Sequence, residues 1–253
     1  MYNISANTIF TGKYLIYLST CHSTNDYAAQ LLSDGQPAEG TLIITPEQTA
    51  GKGQRGNKWE AEAGKNLTFS LILKPGFLSL SDQFYLNMIS SLAVRDTAAE
   101  FLQTSLKVKW PNDIYLNDKK IAGILIQNSI QKNSLSATII GIGLNVNQTV
   151  FSDKKAFSLQ NYSGKEHPVE HVLEVLLEKL EANYLQLRAG KREALAERYK
   201  NHLFRLNEKH FFRTSGKTFE GIITGVDESG RLIIRSGEEL LSFGFKEVEF
   251  VYD

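Results

Sequence analysis

The 253-residue chain holds one cysteine, Cys21, and no excess of either charge, with Lys+Arg and Asp+Glu both at 28. A lone cysteine excludes an internal disulfide framework and fits a reducing compartment, with the thiol read as a packing group. Zero net charge removes the broad basic footprint of a nucleic-acid binder. No apolar run approaches the ~20 residues of a membrane span, and Met1 to Thr20 lacks the charged start and small-residue end of a secretory signal. A cytoplasmic location is therefore expected, with neither membrane nor nucleic acid as partner. The five histidines are scattered. Their one close pair, His167 and His171, straddles Pro168 with no cysteine nearby and reads as solvated, not zinc-binding. There is no Gly-x-Ser-x-Gly elbow, no internal repeat and no low-complexity segment.

What is present is ordinary globular material, 42% hydrophobic and 22% charged, long enough to bury a substantial core. Leu15 to Leu18 reads as a short strand, and Asn25 to Leu32 as a helix behind a Ser23-Thr24 cap. Thr41 to Ile44 reads as a short buried strand, whereas alternating Leu67, Phe69, Leu71 and Leu73 predict a half-buried one. A long helix is expected from Asp82 to Leu102. Four strands follow, at Lys107 to Trp110, Ile114 to Leu116, Ile121 to Ile126 and Ala137 to Ile142. After Pro168, apolar residues from Val169 to Leu187 recur at helical spacing, and a shorter helix runs to Leu203. From Glu208 onward, short β-rich runs alternate with Ser215-Gly216, Asp227 to Gly230 and Ser236-Gly237. The fold class is α+β, with a domain over residues 1–205 and a small β domain over 206–253.

Gly51-Lys52-Gly53-Gln54-Arg55-Gly56 matches the dinucleotide pattern G-x-G-x-x-G, but the context is wrong. Six residues separate it from the strand, no amphipathic helix follows, and no acidic residue lies between Glu62 and Asp82. A P-loop fails too, because Asn66 stands where Gly64-Lys65 would need Ser or Thr. What remains is either a surface turn with a half-buried Trp59 or a glycine loop that closes backbone N–H groups on an anion, with Trp59 stacking on a flat ring. Lys109-Trp110-Pro111-Asn112-Asp113 ends a strand with a cation, a turn, an amide and a carboxylate, a set able to hold a metal-bound polyphosphate. Lys120 to Leu125 and Gly141 to Asn145 are, singly, ordinary strand ends.

In order, Ser23-Thr24-Asn25, Gln48 with the glycine loop and Trp59, Lys109 to Asp113, Lys120 to Leu125 and Gly141 to Asn145 resemble the biotin protein ligase family. The likeness covers about residues 15 to 147. It implies a mixed sheet flanked by helices, of the kind shared with class II aminoacyl-tRNA synthetases, plus a C-terminal SH3-like β-barrel. It also implies formation of biotinyl-adenylate from biotin and ATP with Mg²⁺, then transfer to a lysine of a biotin carboxyl carrier protein. By that resemblance Ser23, Thr24, Asn25, Gln48, Gly51, Lys52, Gly53, Lys120, Gly123, Leu125 and Gly141 bind biotin. Gln54, Arg55, Trp59, Asn66, Asn112, Lys120 and Asn145 meet ATP, Asp113 takes the metal, and Lys120, Arg55 and Lys109 supply catalytic charge.

The chain departs from the family at three points. Lys52 and Gln54 replace arginines common in the loop, so its charge is thinned. His22 replaces an acidic residue before Ser23. The residues before Ser23 read as strand and not as the helix-turn-helix some members carry, so a repressor role is not expected. Rival readings are a lipoate or octanoate protein ligase or transferase, against which Gln48 and Trp110 to Asp113 argue, and a non-catalytic adenylate-binding module, against which Lys120 and Asp113 argue. Monomer and homodimer both stay open.

Overall fold

The computed structural model describes residues 5–132 and 134–252. Two sheets carry the architecture. The larger has seven strands: β1 (Leu15–Tyr17), β2 (Leu42–Thr45), β3 (Leu67–Leu73), β4 (Lys107–Lys109), β5 (Asp113–Leu116), β6 (Lys119–Gln131) and β7 (Ser134–Leu144), in the order β1-β2-β3-β7-β6-β5-β4. Only β1 and β2 run parallel; every other neighbouring pair is antiparallel, so the sheet is mixed.

Helices cover both faces of this sheet. On one side α1 (Thr24–Asp34) packs on β2, β3 and β7, closing a small cluster of Ala28, Ile43, Ile72 and Ile139. On the other, α2 (Phe84–Leu102) packs against α4 (Val169–Arg188) and α5 (Arg192–Asn201), and the main core joins them to Leu42, Ile44, Phe69, Leu71, Ile140 and Ile142. All seven residues of β3 are consequently buried. Its alternation predicts a solvated face; instead Ser70 and Ile72 meet α1, and the Thr68 hydroxyl donates to Thr45 O of β2. Burial of mixed sheets between two helical layers follows from the need to remove both apolar faces from water.

A short helix α3 (Leu159–Ser163), missing from the sequence reading, is set by a capping box in which Ser158 and Asn161 bond each other's backbone. His167 is corrected as well: it is buried, with Nε2 2.8 Å from Ser163 Oγ and its ring edge-on to Phe101, while His171 stays exposed. Burial, followed by Lys165, pulls the His167 pKa down.

The second sheet holds β8 (Lys209–Thr214), β9 (Lys217–Val226), β10 (Leu232–Ser236), β11 (Glu239–Phe243) and β12 (Glu249–Phe250), all antiparallel, in the order β11-β10-β9-β8-β12. It is a separate C-terminal antiparallel sheet, consistent with an SH3-like domain, and its buried Phe212, Ile223, Leu232 and Ile234 join the main core. Trp110 fastens it to the main sheet, its indole N–H donating to Gly230 O at 2.9 Å and its ring tilted on Phe245. Among the described residues no helix is long and apolar enough to cross a membrane.

Candidate active site

The site forms where the layer of α1 ends and the sheet carries glycine. Register aligns Thr68, Gly143, Gly123 and Asp113 in one row across β3, β7, β6 and β5, and Ser70, Gly141 and Leu125 in the next. A Cβ at Gly141 would overlap the Asn25 carboxamide, and one at Gly143 would overlap the Trp59 indole. The absence of side chains at these two positions is what lets Asn25 and Trp59 lie on the sheet.

Two cavities open over this hollow. The first, about 740 Å³, is lined by Ser23, Thr24, Asn25, Gln48, Lys52, Gly53, Gln54, Trp59, Lys109, Asn112, Asp113, Lys120, Gly123, Leu125 and Gly141, all anticipated from sequence. The second, about 640 Å³, is lined by Gln48, Gly51, Trp59, Lys120 and Asn145, together with Phe151, Ser152 and Asp153. Gln48, Lys58, Trp59, Lys120 and Asp153 border both. The Arg55 side chain lies outside the described residues.

The start of α1 supplies the polar wall. Ser23 precedes the helix in extended conformation, yet its hydroxyl makes no capping bond. The cap expected from sequence is therefore absent, and a buried hydroxyl is left beside the cavity. Gln48 Oε1 instead receives the Thr24 N–H at 2.8 Å, which turns its carboxamide to a fixed side. Asn25 donates through Nδ2 to Gln127 Oε1 at 3.0 Å and Leu125 O at 3.3 Å.

The charged wall comes from β5 and β6. Lys120 Nζ lies 2.7 Å from Asp113 Oδ1 and 5.8 Å from the Trp59 ring centre. Asn112 is buried, with its Nδ2 given to Ile124 O at 2.6 Å. Lys109 sits over the rings of Tyr115, Phe250 and Tyr252 at 5.1–5.2 Å, an aromatic box at the C-terminal unit's end of the cavity. Burial pushes the Tyr115 phenol far up, so it stays neutral in that box.

Around the second cavity, Asn145 donates Nδ2 to Phe157 O, while its Oδ1 is buried with no partner among the described residues. Such an acceptor is costly to leave unpaired. Asn66 is a correction. It lines neither cavity, because its Oδ1 accepts the Val146 N–H and its Nδ2 bonds Gln148, clamping β3 to the segment after β7. These bonds engage one of its two amide N–H groups and one lone pair of its oxygen, and the side chain is buried outside both cavities, so no direct contact with phosphate follows from this geometry.

The glycine loop is tied down at its base: Thr49 N–H donates to Cys21 O, Ala50 N–H to His22 O, and Trp59 N–H to Gly51 O. Lys52 pairs with Asp26 of α1 at 2.7 Å. Burial raises the Cys21 thiol pKa, in keeping with its reading as a packing group. The sequence reading missed Ser70, Gly143, Lys58, Asp153 and Lys246. Gly143 had a signal, since it shares a face with Gly141 at period two, and so had Ser70, a hydroxyl amid apolar neighbours in a buried strand.

Residues 17–145 match the biotin/lipoate A/B protein ligase family, and residues 212–251 match the biotin protein ligase C-terminal domain. The chain is 30% identical over 243 residues to the bifunctional ligase/repressor BirA of Bacillus subtilis, covering 94% of this chain and 74% of that protein. It is also 30% identical over 203 residues to the biotin--[acetyl-CoA-carboxylase] ligase of Paracoccus denitrificans, 76% of this chain and 83% of that one. Among solved structures, the biotin protein ligase from Aquifex aeolicus in complex with biotin and ATP aligns with a TM-score of 0.79 at 26% identity, covering 95% of this chain and all of that one. The glycine-floored hollow, the two cavities meeting at Lys120 and the attached second sheet thus have a family, and this chain belongs to the biotin/lipoate A/B protein ligases.

Proposed function

We propose that this chain is a biotin protein ligase: it joins biotin to ATP as biotinyl-adenylate and passes the biotinyl group to a lysine of a biotin carboxyl carrier protein. The observation that carries this reading is that Lys120 borders both cavities. A cation at their junction favours the attack of a carboxylate on a phosphate, and Lys120, unlike the exposed Lys58 beside it, is held in place by Asp113. On one side Ser23, Thr24 and Gln48 offer short neutral polar groups suited to a cyclic urea. On the other, Asn145 offers an unpaired acceptor suited to the amine of a nucleobase.

In the first step a biotin carboxylate oxygen attacks the α-phosphorus and the bond to pyrophosphate breaks. In the second, the carrier amine attacks the acyl carbon, AMP departs with the bonding electrons, and the amine loses a proton. Neither step requires a protein nucleophile. The chain contributes placement of the reacting atoms and positive charge from Lys120 as the phosphate gains a fifth ligand. Trp59 and the glycine loop exclude water from the mixed anhydride.

Mg²⁺ fits the donors present. Among the described residues no cluster of three His, Cys, Asp or Glu stands ready for an ion, but Mg²⁺ beside ATP usually takes one or two carboxylates plus phosphates and water. Asp113 would offer that carboxylate, and the ion would neutralise phosphate charge. The deciding experiment incubates the protein with ATP, Mg²⁺, an apo carrier domain and a mixture of biotin, lipoate and octanoate, then reads the carrier's mass. Biotin addition is the expected result; exclusive lipoyl or octanoyl addition would refute the reading.

A further inference from the structure

Ser70 lies fully buried in β3, opposite Gly141, and is not among the residues lining either cavity. Its Oγ stands 2.6 Å from Asn25 Oδ1 and 2.8 Å from Thr24 Oγ1. In both contacts the serine hydroxyl is the donor. The Asn25 carboxamide is oriented independently, since its Nδ2 already serves Gln127 Oε1 and Leu125 O. Its Oδ1 can only accept, so the single Ser70 proton is shared between two acceptors, Asn25 Oδ1 and Thr24 Oγ1.

The consequence reaches the cavity. Because Thr24 Oγ1 receives the Ser70 hydroxyl, its own proton turns to Gln48 Oε1 at 3.2 Å, the atom that also takes the Thr24 N–H at 2.8 Å. Thr24 Oγ1 thus has one lone pair engaged by Ser70, its proton directed to Gln48, and one lone pair left for the cavity it lines. We propose that Ser70 is a positioning and specificity-determining residue: through Thr24 and Asn25 it sets the polarity of the pocket wall, making Thr24 Oγ1 an acceptor for a ureido N–H.

This rests on biotin as the substrate. It explains why a hydroxyl occurs in a strand otherwise suited to apolar residues, and it predicts preference for a ligand carrying N–H groups over a plain acyl chain. A site built around polar partners loses heavily when one is missing, because the others are left unpaired.

Ser70→Ala removes one oxygen and introduces no clash. Biotin affinity, measured by calorimetry, should weaken about tenfold, while the KM for ATP stays within about twofold. In Thr24→Val, which deletes the acceptor itself, adding Ser70→Ala should cost little more than the single change, because both remove one interaction. Three results would overturn the proposal: biotin affinity within twofold of wild type, equal losses for biotin and ATP as general loosening would give, or additive losses in the double variant. If the wild-type protein fails to bind biotin, the functional reading falls and the Ser70 role with it. A wild type that binds biotin beside an indifferent Ser70→Ala overturns the Ser70 role alone.

Discussion

The Lys120 ammonium rests 2.7 Å from the Asp113 carboxylate, across the β5–β6 pair. Both side chains are about 30% exposed, so the pair is screened by water and acts on geometry more than on stability. Lys120→Ala should lower adenylate formation by about 10²–10³, the loss typical of removing a charge that acts on the transition state. Biotin affinity should fall far less, because the ground-state carboxylate keeps its other partners. Pyrophosphate release and biotin calorimetry separate the two, and undiminished pyrophosphate release would remove Lys120 from the chemistry.

Two backbone positions make a second prediction. Gly141→Ala should raise the biotin KM by tenfold or more, since the new Cβ occupies the place of the Asn25 carboxamide. Gly143→Ala should displace the Trp59 indole and act mainly on ATP. Overpacking of a tight site costs about 1–3 kcal/mol, enough for these shifts. Steady-state kinetics with each substrate varied in turn would show whether the two glycines divide in this way or act alike.

Much of this arrangement could be read from sequence. A period-two run located β3, the apolar stretch Ala137 to Ile142 located the middle of β7, and apolar residues at helical spacing located α2 and α4. The reading failed where tertiary contacts override local pattern. Nothing in Leu67 to Leu73 announces that α1 will cover its polar-looking face. The β6–β7 hairpin runs on to Gln131 and Ser134, past the apolar stretches that marked it. Asn66 resembled a ligand-binding amide, but only the fold shows that it is buried against Gln148 and Val146, outside both cavities. Ser70 stayed hidden for the complementary reason: it acts through neighbours more than 40 residues away in sequence.

A third prediction concerns acid. Glu181 on α4 accepts N–H bonds from Ile9, Phe10 and Thr11 at 2.6–2.9 Å, and so ties down the chain ahead of β1. Burial alone would raise its pKa, but the bonds from Thr11, Phe10 and Ile9 outweigh it and hold the carboxyl below its ordinary range. A depressed folded pKa contributes stability that is present above the unfolded value, near ~4.3 for glutamate. It is lost as pH falls through the folded value. Glu181→Gln keeps one acceptor and turns an NH₂ toward N–H donors, so it should cost about 2–3 kcal/mol at neutral pH. The melting temperature should drop by about 5–10 °C, and the gap to wild type should narrow toward pH ~3. A gap independent of pH would show that the charge is not what matters.

The last prediction addresses how the adenylate is kept. The glycine loop is fixed at its base by backbone bonds, but its tip buries little apolar surface, so few contacts offset the entropy of ordering it. One contact crosses from the loop to the start of α1: Lys52 Nζ to Asp26, at 2.7 Å, with both side chains about half exposed. The resemblance implies that Lys52 meets biotin through its backbone, which leaves its ammonium to be engaged by Asp26, a neighbour of Thr24 and Asn25. If this pair acts as a latch, breaking it from either side should let the mixed anhydride escape, seen as biotin appearing on bystander lysines. Exposed ion pairs contribute no more than about 1 kcal/mol, so Asp26→Asn or Lys52→Gln should raise escape only about two- to fivefold. The same limit supplies a diagnostic. At ~1 M salt the Debye length falls to about 3 Å, so wild type should leak like the variants and the double variant should match either single one. If instead Lys52→Gln weakened biotin binding at every salt concentration while Asp26→Asn did not, Lys52 would be a direct biotin contact and the latch would be excluded.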